Sequence, residues 1–319
     1  MPKVLQVSLE EMLQQYDGTL SPLDEFQRHR ADAHLLTDHA RLSLWYQNTP
    51  TLPNQKIGLI GHYESRNQDS AEALLRAACH ELRNQNCTLA IGPMDGSTWN
   101  RYRLVTDFGN EPPFFLEPQN PPQYPLHFQQ SGFTPLATYC SALNSNLSHD
   151  DPKNQIVRKK IADLGITIRP INPNYFESDL KRIYTISLIA FRRNFLYTPI
   201  SETDFLHQYA KIGPILQPEL VLIAEQNDRP VGFMFGLPDL LASQRNAPQT
   251  LLLKTLAVLP DRSQAGLGGL LISECQKSAH TLGFTRSIFA LMHDANASRS
   301  ISSRYGQIMR RYTLYSKSL

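Results

Sequence analysis

The chain is predicted to be an α/β (α+β) protein built from two successive domains, and three observations lead there. Strand-like and helix-like segments alternate along nearly all of its 319 residues. Residues 144–154 hold almost no apolar side chains and break that alternation in mid-chain, which places a boundary near residue 150. On each side the elements come in one order, strand-strand-helix-strand-helix, although the two halves are not visibly repeated in sequence. The expected domains are therefore residues 1–150 and 151–319.

In the first half, residues 40–46 and 56–63 read as strands. Asp69, with Glu72 three residues on, predicts a capped helix reaching Asn84, with Leu74, Leu75, Ala78 and Leu82 on its apolar face. Residues 88–91 form a further strand, and 124–131 a helix stopped by Gly132. Prolines crowd at Pro112-Pro113 and Pro121-Pro122, which demands extended or turning backbone there.

In the second half, residues 165–170 alternate like a strand. Asn174, three residues before Glu177, is a capping-box signature for a helix running to about residue 194. Ser201 opens a short helix with acidic residues in its first turn, where the helix dipole favours them. Residues 219–226 and 231–236 flank Asn227-Asp228-Arg229-Pro230 as a hairpin. The nearly continuous apolar run 250–259 predicts a strand buried on both faces. A helix over 266–282 follows, with Leu267, Leu270, Leu271, Ala279 and Leu282 on one face and Gly283 as its stop. A strand at 287–292, a helix at 297–305 and a short strand at 312–315 complete the chain.

Composition excludes several classes. With 41% hydrophobic and 19% charged residues the chain reads as a soluble globular protein, and a net charge of +2 supplies no basic field for nucleic acid or anionic membrane. No apolar signal core follows Met1-Pro2-Lys3-Val4, and no run approaches the ~18 apolar residues that span a bilayer. Cys79, Cys87, Cys140 and Cys275 show no CxxC pairing, so reduced thiols in the cytoplasm are expected and no metal site.

The chemistry is concentrated in the loop Pro260-Asp261-Arg262-Ser263-Gln264-Ala265-Gly266-Leu267-Gly268-Gly269, between the buried strand and its helix. The first amides of a helix lack intrahelical acceptors and sit at the positive end of its dipole. A loop that turns its own N–H groups the same way makes a cradle for phosphate oxygens, and glycine lets the anion reach the backbone. Arg262 could add charge, or lie solvated on the surface. The full GxGxxG spacing of a dinucleotide fold and the Lys-Ser/Thr ending of a P-loop are both absent.

The segment Leu256-Ala257-Val258-Leu259-Pro260, followed by Gly266-Leu267-Gly268-Gly269-Leu270-Leu271, resembles motif A of the GCN5-related N-acetyltransferases (GNAT), over roughly residues 165–319. The resemblance implies a mixed, mostly antiparallel sheet flanked by helices, acetyl-coenzyme A as cofactor, and an amine of a small molecule or protein as acceptor. It also implies that Leu256, Ala257 and Val258 offer backbone groups to the pantetheine arm, and that Gln264, Ala265, Gly266, Leu267, Gly268 and Gly269 receive the pyrophosphate with help from Arg262. Ser263 departs from the Arg or Gln usual at its position. The first half, through Gly92-Pro93-Met94-Asp95-Gly96-Ser97 and Ser131-Gly132-Phe133, is similar to the leading half of tandem acetyltransferase-like proteins. Its corresponding loop, Ser65-Arg66-Asn67-Gln68-Asp69-Ser70, has no glycine and is not expected to hold pyrophosphate. Packing, dimerisation or shaping of the acceptor pocket is its expected role, which leaves room for a homodimer.

Transfer to an amine calls for a base and for an acid to protonate the leaving thiolate. Residues 240–260 contain no Asp or Glu, while Glu225 and Asp239 on the preceding hairpin read as solvated turn or edge residues. By resemblance the acid is a tyrosine four residues before a glycine, but that position is Ser302; Tyr305 is the nearest phenol and the first choice, with Tyr312 and Tyr315 behind it. Asn296 falls where the family contacts the cofactor arm, and a helix cap is its competing role. No catalytic role is assigned to His293-Asp294. Two readings follow: an acetyl-CoA-dependent N-acyltransferase, or a CoA-binding sensor or structural pseudoenzyme that uses the same loop. A protein unrelated to CoA is the third.

Overall fold

The computed structural model describes residues 2–15, 23–148, 151–295, 302 and 306–319. The first half runs β1 (Leu5–Val7), α1 (Leu9–Gln15), α2 (Leu23–Arg28), β2 (Ala33–Thr37), β3 (Ala40–Trp45), β4 (Ile57–Ser65), α3 (Gln68–Asn84), β5 (Leu89–Gly92), β6 (Leu104–Asp107), α4 (Tyr124–Gln130) and β7 (Thr134–Asn144). The second runs α5 (Lys153–Asp163), β8 (Ile166–Pro170), α6 (Phe176–Ala190), α7 (Glu202–Ala210), β9 (Val221–Gln226), β10 (Arg229–Pro238), α8 (Leu240–Gln244), β11 (Thr250–Val258), α9 (Leu267–Thr281), β12 (Arg286–His293) and β13 (Gln307–Ser318). The strands and helices expected within the described residues are present, with changed bounds. The cap of α3 is Asn67 rather than Asp69, its side chain accepting from the Ser70 amide at 2.9 Å. Asn172, not Asn174, caps the turn that leads into α6, and α6 ends at Ala190. Leu282 is 43% exposed and does not extend the buried face of α9. The expected helix 297–305 lies outside the described residues apart from Ser302.

One mixed, mainly antiparallel sheet of thirteen strands joins both halves among the described residues, in the order β1-β2-β3-β4-β5-β13-β7-β12-β11-β10-β9-β8, with β6 also on β13. Neither half closes its sheet with its own last strand. The last strand of the first half, β7, pairs with β12, for example Ile288 with Leu143. The last strand of the chain, β13, reaches into the first half and pairs Tyr315 with Gly92 of β5. β7 and β13 pair with each other from Gln307–Leu143 to Ser316–Thr134, which binds the two halves through ordinary ladder bonds.

Helices cover the sheet in keeping with their apolar faces. Leu267, Leu270, Leu271, Cys275 and Ala279 of α9 are buried with Ile161 of α5 against Leu251 and Leu253. On the opposite face Ile183 and Ile186 of α6 and Phe205 and Tyr209 of α7 pack on Phe233, Phe235 and Leu252. Each such buried side chain contributes about 1.5–3 kcal/mol. Three of them in the first two turns of α9 therefore outweigh the ~1 kcal/mol that a missing side-chain cap costs, and the start of α9 is fixed with its first amides uncapped.

Candidate cofactor site

The site begins with a pair of parallel strands that part. β11 and β12 pair from Thr250–Arg286 to Leu253–Phe289, and there the ladder ends. A bulge on each strand turns them apart. On β11, Phe235 faces Thr255 and Gly236 faces Leu253, so Lys254 is the extra residue. On β12, Phe289 faces Ala142 and Met292 faces Cys140, so Ala290 and Leu291 share the place opposite Ser141. Leu291 has φ 58°, and its amide is taken by the Ser141 hydroxyl at 3.1 Å, which holds β12 toward β7. Bulges bend strands in this way and recur beside functional sites.

The register decides which backbone groups face the opening. Leu259 donates to Val231 at 2.8 Å; by antiparallel alternation Ala257 and Thr255 are also bonded to β10, while Leu256 and Val258 turn their N–H and C=O groups away from it. Of the three residues expected at the pantetheine arm, Leu256 and Val258 thus face the cleft. Ala257 does not, because its backbone is committed to Phe233.

At the mouth of the cleft the loop forms a 3-10 turn, Arg262–Gln264, capped by the Asp261 carboxylate, which accepts from Ser263 N at 2.8 Å. Gln264 N donates to Asp261 O at 3.1 Å and Ala265 N to Arg262 O at 3.2 Å. Those two amides are therefore spent inside the turn, which corrects the expectation that they face a ligand. The cradle narrows to Gly266, Leu267, Gly268 and Gly269, the N-cap and first three residues of α9, since Leu270 is the first to bond back, to Gly266 O at 3.1 Å. Gly266 has φ 96°, a conformation that favours glycine, and no side chain caps the helix. Arg262 is exposed on the turn. Gln264 is buried, and its side-chain oxygen has no hydrogen-bond partner. Lys160 of α5 reaches Ala265 O at 3.3 Å.

The first half carries the same opening already filled. β4 and β5 pair only from Ile57–Leu89 to Leu59–Ile91, and the bulge on β4 falls at His62 and Tyr63. The chain after β5 then folds back into the gap: Met94 N donates to Ile60 O at 2.8 Å, and the Asp95 carboxylate accepts from His62 N at 2.6 Å. At the start of α3, Asn67 occupies the place that Gly266 leaves open.

Residues 180–301 match the acetyltransferase (GNAT) family. The match lies within the second half and covers less than half of the chain. The Escherichia coli K12 protein YghO is 25% identical over 173 residues, 53% of this chain but only 43% of YghO, so the match spans less than half of that relative. A conserved protein of unknown function from Enterococcus faecalis V583 shares the fold with a TM-score of 0.60 at 10% identity, over all of this chain and 72% of that one. A tandem GNAT protein from the clavulanic acid biosynthesis pathway aligns over 100% of this chain and 98% of its own, with a TM-score of 0.51 at 12% identity. At such identities the structural likenesses speak for the GNAT fold alone.

The candidate acid and base residues divide clearly. Asn296 and Tyr305 lie outside the described residues. Glu225 is not solvated: it accepts from Arg169 at 2.7 Å and Arg182 at 2.6 Å. Asp239 is buried, taking the Phe115 amide at 2.8 Å and the Leu241 amide at 3.1 Å. Tyr312 and Tyr315 sit on the exchanged strand β13 inside the first half, where Tyr312 donates to Glu117 and Tyr315 accepts from Gln129 at 3.3 Å. Burial pushes the Tyr312 phenol up and raises the Glu117 carboxyl, the latter partly offset by Tyr312 and Arg310. His293, at the cleft end of β12, packs on Tyr139 and Phe195. Its Nδ1 accepts from Ala295 N at 3.0 Å, and burial lowers its pKa, so the ring is neutral with the proton on Nε2.

The first half reaches this side of the cleft. Arg103 stacks on Tyr102 and Tyr139 and donates to Leu291 O at 3.3 Å, and Trp99 donates to Thr198 O, in the α6–α7 connection, at 2.8 Å. The two hydrogen bonds join positions about a hundred or more residues apart, and no local sequence pattern signals them.

Proposed function

We propose that the second half binds acetyl-CoA and transfers the acetyl group to an amine of a small molecule or protein, making the chain an N-acyltransferase. The observation that carries this reading is the open splay beyond Leu253 and Phe289, edged by Leu256 and Val258 and ending on the uncapped amides of α9. Glycines keep the cradle clear, and a Cβ on Gly269 would meet nothing within 4 Å. Gly266, Leu267, Gly268 and Gly269 would hold the pyrophosphate, with Lys160 adding positive charge from α5. Leu256 and Val258 would align the pantetheine arm by backbone hydrogen bonds. Bound acetyl-CoA supplies an acetyl group activated as a thioester. Tyr305 is the proposed proton donor to the departing thiolate, and Asn296 a proposed contact to the cofactor arm. The first half, its own cleft filled, supports the acceptor side through Trp99 and Arg103. A cytoplasmic location belongs to the same reading, since Cys79, Cys87, Cys140 and Cys275 are all buried and form no disulfide with one another; no described helix is long and apolar enough to cross a membrane.

The test is thiol release from acetyl-CoA across a panel of amine acceptors. Amine-dependent release supports the transferase. Tight CoA binding without release on any acceptor would favour a CoA-binding protein that does not turn over.

A further inference from the structure

We propose that the filled cleft of the first half is a binding site for one divalent transition-metal ion, of which Zn²⁺ is the probe, held by His29, His62 and Asp95. One ligand atom from each of these residues lies within 4.8 Å of the other two. They come from three separate places: the turn after α2, the bulge of β4, and the segment that folds back after β5. His62 and Asp95 are buried, and His29 is half-buried.

The surroundings are those of a built site. His29 Nδ1 stands 2.8 Å from His62 Nε2. One of the two facing nitrogens must carry a proton for that contact to be a hydrogen bond, and a cation takes the place of that proton. The other nitrogen of His62, Nδ1, lies 2.9 Å from Ser43 Oγ, which is itself 2.8 Å from His34 Nδ1. Such outer partners orient a ligating imidazole. The rings of Phe26 and Trp45 wall His62 at 4.2 and 5.1 Å between centroids. Asp95 Oδ1 accepts the His62 amide, while Oδ2 lies 3.6 Å from the half-exposed Arg101 guanidinium.

Two nitrogens and one carboxylate oxygen suit zinc, with water completing a four-coordinate set. Bonds of 2.0–2.1 Å at tetrahedral angles need the nitrogens about 3.3 Å apart. His29, the least buried of the three, has to swing outward by about half an ångström. The site would tie α2 and the segment after β5 to β4.

The test is a titration of the untagged full chain, freed of metal by chelation, with Zn²⁺ by calorimetry and with Co²⁺ by visible absorption. The proposal predicts one equivalent of Zn²⁺, a Zn²⁺-dependent rise in Tm, and a Co²⁺ spectrum that Zn²⁺ abolishes. His29→Ala, at the most accessible ligand, and Asp95→Asn should each weaken Zn²⁺ at least about tenfold. Absence of binding to the wild-type chain would overturn the proposal whatever the variants do. Unchanged affinity in a folded His29→Ala would do the same.

Discussion

Val157 stands where a side chain on Gly266 would go: a Cβ built on Gly266 would lie 2.8 Å from Val157 Cγ2. The helix α5, which precedes β8, therefore packs against the loop that leads into α9. Gly266→Ala should lose about 1–2 kcal/mol from the φ of 96° alone, plus the clash. Urea denaturation of Gly266→Ala with and without Val157→Ala separates the two costs. Partial recovery in the double variant is expected. Full recovery would mean that the backbone conformation costs nothing.

The strand exchange predicts that residues 1–150 and 151–319 depend on each other. Expressed apart, the first lacks β13 between β5 and β7, and the second lacks β7 beside β12. Neither should show a cooperative thermal transition alone, and co-expression should restore one. A cooperative transition in either half by itself would contradict this.

Asp179 gives a pH dependence. Burial alone would raise its pKa, but hydrogen bonds from Arg169 at 2.7 and 2.8 Å and from the Asn172 amide at 2.9 Å outweigh that and hold it below the usual carboxylate value. A carboxylate with a depressed folded pKa binds fewer protons than its unfolded form, so its stabilisation is complete above the unfolded value of 3.8 and is lost as pH falls through the folded one. Denaturation midpoints measured from pH 6 downward should fall more steeply below pH ~4 in the wild type than in Asp179→Asn. Parallel profiles would remove Asp179 from the account.

Tyr305→Phe should lower turnover by about 100-fold or more while leaving CoA affinity unchanged, as expected when a proton donor is removed. Steady-state thiol release and calorimetry read the two quantities separately. Equal turnover would take Tyr305 out of the role of acid.

Much of the fold was legible because the sequence states local preferences plainly. The apolar run of β11, the Asn227-Asp228 turn with its positive φ values, and Ser201 as the cap of α7 all act within a few residues. The cofactor loop was legible for the same reason, since a buried strand, glycines and an amphipathic helix lie in sequence. Two kinds of information were not. Which of Leu256, Ala257 and Val258 faces the cleft depends on the bulge at Lys254, and that bulge is set by pairing with Phe235 and Gly236. The exchange of β7 and β13, and the meeting of His29, His62 and Asp95, are decided by tertiary packing, which leaves no periodic trace. Glu225 and Asp239 read as solvated because their partners, Arg169, Arg182 and the Phe115 amide, arrive from other elements.

Gly268 provides the most direct test of the cofactor site. A Cβ there would stand 3.4 Å from Leu256 and 3.7 Å from Val258, ordinary contact distances to the two residues that edge the cleft. Its φ is not in the left-handed region, so the backbone accepts a side chain there, beside the side chains of the two residues that edge the cleft. Calorimetric titration of CoA into wild type and Gly268→Leu should show binding in the first and at least about tenfold weaker binding in the second, or ~1.4 kcal/mol, with Tm nearly unchanged. Equal affinity in a folded Gly268→Leu, or no CoA binding by the wild type, would contradict the account.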